Sequence, residues 1–212
     1  MAPPAAPPTA WWSSLMSDPA EYLSFETPAH LSNWLAEHHA TKRELWVRIY
    51  KKQSGTPSVT WEDCVVASLT WGWIDGLKKP LDEVSFLQRL TPRRSKSNWS
   101  KKNCDHAERL IAAGLMQASG LVHVEAAKQD GRWDKAYAGS ANFVIPDDFL
   151  AALAANPQAK SAFDGLKRAH LFAIYYRLHS AARPQTRQKR MDDIIAKLAR
   201  GEGVSQSAKG SI

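Results

Sequence analysis

Residues 89–102 carry Arg89, Arg93, Arg94, Lys96, Lys101 and Lys102 and not one carboxylate. Trp71, Trp73 and Trp99 stand in or beside this run. Cations without acids, next to aromatics, are the chemistry of a surface that meets something anionic. A second run has the same character. Between Gly165 and Met191 there is no acid, while Lys167, Arg168, Arg177, Arg183, Arg187, Lys189 and Arg190 are all basic. Guanidinium forks, hydroxyls and helix N-termini hold phosphates and carboxylates well. The candidate ligand-binding residues are therefore Trp73, Asp75, Arg93, Arg94, Ser97, Trp99, Ser100 and Asn103 from the first region. Thr186, Arg187 and Arg190 come from the second. Three fates are open to these cations. They pair internally with Asp75, Asp82 and Glu83, they converge on one bound anion, or they face water.

Other chemistry is thinner. Cys104 lies at a basic helix start two residues before His106, a setting that can lower a thiol pKa. Residues i and i+2 face different ways on a helix, so the two do not form a pair. Asp75 in Trp-Ile-Asp-Gly is a general-base candidate, but an Asp before Gly is first a turn former. There is no glycine-rich phosphate loop, Ser-His-Asp pattern or His-Glu-x-x-His. The seven histidines show no ligand spacing and there is no Cys-x-x-Cys, so neither a metal nor a cofactor is expected. Trp61, Trp71, Trp73, Trp99 and Trp133 read as a core-and-rim set. The functional alternative is an aromatic-walled pocket with Arg93, Arg94, Ser97 and Asn103 at its mouth.

The elements that must position these residues follow from pattern. Glu21–Phe25 is a short strand candidate, and Thr27-Pro28 reads as an N-cap followed by proline at the first helical position. Residues 44–50 alternate, with Leu45, Val47 and Ile49 on one face. Thr60 and Asp63 approximate a capping box for a helix to about Thr70. Asp75-Gly76 predicts a tight turn, residues 84–90 a strand, and Thr91-Pro92 its end. Ser100 is the expected N-cap of a helix over 101–116. Lys101 and Lys102 then crowd the positive end of its dipole. Leu121–Gln129 is a second helix, ended by Asp130-Gly131. Helices then start near Asp147, Pro157 and Ala169, and a last one, with Thr186 as its cap, stops at Gly201.

Four motifs carry a resemblance: WGWIDG, PRRSKSNWSKKN, KQDGRWDKAY and ARPQTRQKR. In this order they resemble the bacterial YdeI/OmpD-associated (bacteriocin-protection) family, over about residues 20–202. The resemblance implies a stress-protection role against bacteriocins and cationic antimicrobial peptides, and association with an outer-membrane porin. It implies no established catalytic mechanism. A distant similarity to small α+β proteins proposed as frataxin-like iron chaperones would require an acidic ridge. Glu21, Glu26 and Glu37 are too scattered to form one.

At 212 residues, 44% hydrophobic and 23% charged, the chain has the composition of a soluble globular protein. Two cysteines make no disulfide framework. No run approaches the eighteen apolar residues of a membrane span, and the proline-rich start is no signal peptide, so a cytoplasmic protein is expected. Residues 1–83 hold seven Lys/Arg against ten Asp/Glu, and residues 84–212 hold 21 against 11, which together give the net charge of +7. A basic half of this kind invites an anionic partner.

The expected architecture is α+β, a small antiparallel sheet with packed helices followed by a helical C-terminal unit. The expected organisation is a disordered Pro-rich lead (1–19), an α+β domain (20–140), the helical unit (145–202) and a disordered tail (203–212). The function expected is that of a non-catalytic binding or stress-protection factor with a basic, Trp-lined face. Its partner is an anionic small molecule or a protein. The alternatives are a nucleic-acid or nucleotide binder, and an enzyme acting on a small anionic substrate.

Overall fold

A computed structural model describes residues 21–203, and the proline-rich lead and the tail beyond Gly203 lie outside the described residues. The first strand, β1 (Leu23–Ser24), is only two residues long. Helix α1 (Pro28–His38) begins as the sequence dictates, with the Thr27 hydroxyl accepting the His30 N–H and Pro28 in the first turn. β2 (Leu45–Tyr50) buries Leu45, Val47 and Ile49 and leaves its alternate residues half-buried. Helix α2 (Trp61–Thr70) opens on a full capping box. The Thr60 hydroxyl takes the Asp63 N–H at 3.2 Å, and the Asp63 carboxylate takes the Thr60 N–H at 2.8 Å.

β3 (Trp73–Pro80) and β4 (Ser85–Pro92) complete a sheet of order β1-β2-β4-β3. The β2–β4 and β3–β4 pairs are antiparallel, but β1 runs parallel to β2. The sheet is thus mixed rather than purely antiparallel, because α1 serves as the crossover that parallel neighbours require. The expected Asp75-Gly76 turn is also corrected. β3 passes straight through it, with a register shift between Asp75 and Lys78. The buried Gln88 amide donates to Gly76 O at 3.1 Å and to Leu77 O at 3.4 Å, satisfying the carbonyls that the irregularity releases. The chain turns instead at Gly72, where φ is +73°. β4 continues through Thr91-Pro92, Pro92 lying opposite Trp73 at the strand's end.

Helix α3 (Lys101–Ala112) starts at Ser100 as expected but is shorter than 101–116, since the chain enters the left-handed region at Gly114. Helix α4 (Ala118–Gln129) follows. Gly120 lets it press on α2: a Cβ there would lie 2.5 Å from Leu69 O. The C-terminal region is helical, with α5 (Asp147–Ala154), α6 (Pro157–Asp164), α7 (Arg168–His179) and α8 (Pro184–Ala199). The fold is α+β, and no helix among the described residues is long and apolar enough to cross a membrane.

Three apolar clusters organise the chain. The first joins α1, Cys64 and Ala67 of α2, and the sheet with Trp73. The second joins Val65 and Leu69 of α2 to α3, α4 and Trp99. α2 therefore serves two cores, which is why its buried residues do not fall on one stripe. The third cluster lies wholly within residues 145–199.

Candidate functional site

The loop 93–99 links β4 to α3, and Arg93 builds it. Arg93 is 4% exposed. Its guanidinium carbon sits 3.9 Å from the centroid of the Trp99 ring, and Nη1 donates to Asn98 O at 3.1 Å. The residue thus closes the loop on itself through a cation–π contact and a carbonyl bond. Burial pulls its pKa down to about 10, which leaves it charged at neutral pH. Arg132 supports the loop from outside, donating from Nη1 to Ser97 O at 2.7 Å while its Nε engages Asp130. Arg94 and Lys96 project from this scaffold into solvent, and their charged groups have no partner among the described residues.

The start of α3 is already occupied by protein. Ser100 Oγ accepts the Asn103 N–H at 3.1 Å, and the Lys101 N–H goes to Tyr137 O at 2.9 Å. Tyr137 in turn donates its N–H to Trp99 O, forming an isolated parallel bridge with Ser100. These donors are not aimed at a phosphate. Lys102 donates to Glu62 at 3.0 Å and lies 5.0 Å from the Trp61 ring centroid. That bond holds the Glu62 carboxyl below its usual range. The charge conflict at this helix start is relieved by α2. Lys101 remains exposed without a side-chain partner among the described residues.

The tryptophans do not wall a surface pocket. Trp73 is 1% exposed, with its indole N–H on His39 O at 3.1 Å, and Trp99 is 2% exposed. Among the described residues the exposed indole is Trp61, which donates to the half-buried Asp75 carboxylate at 3.3 Å. Asp75 and Tyr137 both bear electrostatically on Arg93, so Asp75, Arg93, Trp99 and Ser100 share one neighbourhood.

The second run is held by its own partners. Arg183 caps α8, Pro184 follows, and Thr186 stands inside the first turn and does not cap. Proline displaces it because its fixed φ and missing N–H suit the first helical position. Arg187 makes a two-pronged bond to Asp148, Nη2 to Oδ1 measuring 2.8 Å, and holds that carboxyl below its ordinary value. Arg190 turns to Arg177 O at 2.6 Å and Ser180 Oγ at 3.1 Å. Among the described residues no hydrogen bond, ion pair or ring contact joins 93–103 to 183–190. The loop meets the C-terminal helices at Tyr176, through Asn98 at 3.5 Å and through the Tyr137 ring at 4.9 Å. Asp82, expected to meet one of these arginines, pairs with Arg48 at 2.6 Å.

Cys104 and His106, the catalytic candidates of α3, are both buried. Burial pushes the Cys104 thiol up to about 12, the opposite of an activated thiolate. His106 is 3% exposed with Arg109 at 2.6 Å on its Nδ1, and burial lowers its pKa. No group of three or more His, Cys, Asp or Glu among the described residues is arranged to hold a metal ion. Arg132, Tyr137 and Tyr176 were missed as parts of the site. The first two lie in the KQDGRWDKAY stretch, whose lack of periodicity hid its place beside Ser100.

Comparison with known families divides the chain. Residues 142–201 match the family described as Bacteriocin-protection, YdeI or OmpD-Associated. Residues 23–123 match a domain of unknown function (DUF8412). The family resemblance read over 20–202 is therefore shown for the C-terminal helices. WGWIDG and PRRSKSNWSKKN fall in the other domain, and KQDGRWDKAY falls between the two matches. No curated protein and no solved structure matches the chain.

Proposed function

We infer that this chain, which carries a YdeI/OmpD-associated domain at residues 142–201, is a non-catalytic binding factor that presents a basic face to an anionic partner. The observation that carries the reading is the 93–103 segment. Arg93 and Arg132 hold its backbone rigid from within, while Arg94, Lys96 and Lys101 stand exposed and unpaired among the described residues. A preformed loop loses little entropy on binding, so its cations act at full effect. The Thr186, Arg187 and Arg190 half of the expected site contributes less, because two of its three members are engaged by the protein.

An acidic protein segment fits this face better than a nucleic acid does. Base stacking needs accessible rings; Trp73 and Trp99 are buried, and the exposed Trp61 is engaged by Lys102 and Asp75. A role in protection against bacteriocins would then run through an anionic protein partner. Direct capture of a cationic peptide is opposed by the chain's net charge of +7. The test is titration of the full chain with a fluorescent acidic peptide and with a single-stranded oligonucleotide of equal charge, over a range of salt. Saturable peptide binding that weakens with salt supports the reading. Tighter binding of the oligonucleotide transfers the function to nucleic acid, and no binding of either removes the face.

A further inference from the structure

Beneath the exposed loop lies a group that the surface reading does not use. Arg93 Nε and Nη2 are both fully buried and have no hydrogen-bond partner, while Nη1 is held by Asn98 O. These two nitrogens are not an arbitrary pair. Together they form one edge of the guanidinium, the two-pronged edge that grips a carboxylate side-on. The indole N–H of Trp99, on which this guanidinium stacks, is likewise buried and unpartnered. Three donor nitrogens on one stacked pair therefore lack an acceptor, a rare condition that native proteins relieve.

The protein's own acids do not supply that acceptor. Asp75 is near enough to act on Arg93 electrostatically, but its carboxylate accepts the Trp61 indole N–H. Asp130 is engaged by Arg132. What the fork lacks is therefore a hydrogen-bond acceptor of matching shape, since Asp75 acts on Arg93 by charge without bonding to it. Arg132, the nearby second cation, is neutralised by Asp130, and His123 beside them has its pKa lowered by burial.

We propose that the Nε/Nη2 edge of Arg93, with the Trp99 indole N–H beside it, is an enclosed binding site for the carboxylate of a small monoanionic molecule. The planar pair of carboxylate oxygens matches the two parallel N–H groups of the fork, a shape that tetrahedral phosphate and spherical chloride do not share. Because the fork is covered by the braced 93–99 loop, the carboxylate it takes must be small. The site is independent of the surface face, since Arg94, Lys96 and Lys101 take no part in it.

The arginine Nε–H resonance of Arg93 in the wild-type protein reads the site directly. Acetate, propionate and benzoate are titrated in, with chloride and inorganic phosphate at matched ionic strength as controls. A saturable shift with at least one carboxylate and none with the controls supports the site, and Arg93→Lys, which keeps the charge and loses the fork, should weaken that binding about tenfold as read at the Trp99 indole N–H resonance in both proteins. An equal response to chloride or phosphate overturns the carboxylate assignment. A resonance that no carboxylate moves overturns the site, as does one that moves only on Asp75→Asn, which would make Asp75 the internal occupant. None of these outcomes depends on whether the surface loop binds an acidic peptide.

Discussion

Residues 93–103 form a loop and helix start from which Arg94, Lys96 and Lys101 reach solvent, whereas residues 183–190 wind into α8 and turn Arg187 and Arg190 back onto the protein. In sequence the two runs look alike, each dense in cations and free of acids. In space they differ by what lies opposite. α8 starts against Asp148 and the end of α7, so a carboxylate and a backbone carbonyl take its two arginines. The 93–99 loop offers Arg93 a ring and a carbonyl but leaves its outer cations alone. A carbonyl neutralises the hydrogen-bonding need of an arginine without any acid in the sequence, so counting acids in a run does not predict whether its cations are free.

The comparison breaks first at Arg93. Truncation to Ala removes a buried stem, a cation–π contact and the donor to Asn98 O, and should cost about 2–4 kcal/mol, measured by urea unfolding. Arg93→Met, which keeps the stem, should recover part of that loss, since an apolar isostere avoids the desolvation of a buried charge. Equal effects of the two variants would mean that the guanidinium contacts, and not packing of the stem, hold the loop.

The caps sharpen it next. Ser100→Ala should destabilise by about 1 kcal/mol, because its hydroxyl accepts the Asn103 N–H. Thr186→Ala, inside the first turn of α8, should change stability by less than about 0.5 kcal/mol. Similar losses at both sites would restore Thr186 as a cap.

The Arg187–Asp148 pair should matter less, because both side chains keep substantial exposure and water screens them. Its signature is pH-dependent. Arg187 holds the folded Asp148 carboxyl below its ordinary value, so the contribution is complete above the unfolded pKa and disappears as pH falls through the folded one. Arg187→Ala should therefore lower stability by about 0.5–1 kcal/mol at neutral pH, with the difference from wild type vanishing in acid titration of the melting point once the pH falls below the folded pKa of Asp148. A difference that persists in acid would assign the effect to packing.

Much of the local structure was legible because its signals are short-range. Thr27, Thr60 and Ser100 cap the helices that their spacing announced, and β2 buries Leu45, Val47 and Ile49 as its alternation required. Two failures are local, Pro184 displacing Thr186 and Gly114 ending α3 early, and the others involve a partner distant in the chain. Asp75-Gly76 is drawn into a strand because β4 pairs with it and Gln88 satisfies its irregular carbonyls. Of the site, the sequence showed the cations and not their acceptors. Asn98 O, Ser97 O and Arg177 O are backbone atoms that any residue supplies, and Asp148 is 39 residues from Arg187.

The central claim, that the 93–103 face and not net charge binds an anionic partner, is tested most directly by two charge-matched variants titrated with the same acidic peptide. One is Arg94→Glu with Lys96→Glu, and the other is Arg183→Glu with Lys189→Glu. Both pairs are exposed, so both variants should keep wild-type stability to within about 0.5 kcal/mol. The account predicts that the first loses at least about tenfold in affinity and most of its salt dependence, while the second changes by less than about threefold. Equal losses in the two would contradict it, and would show that the protein attracts anions by its overall charge and not by a site.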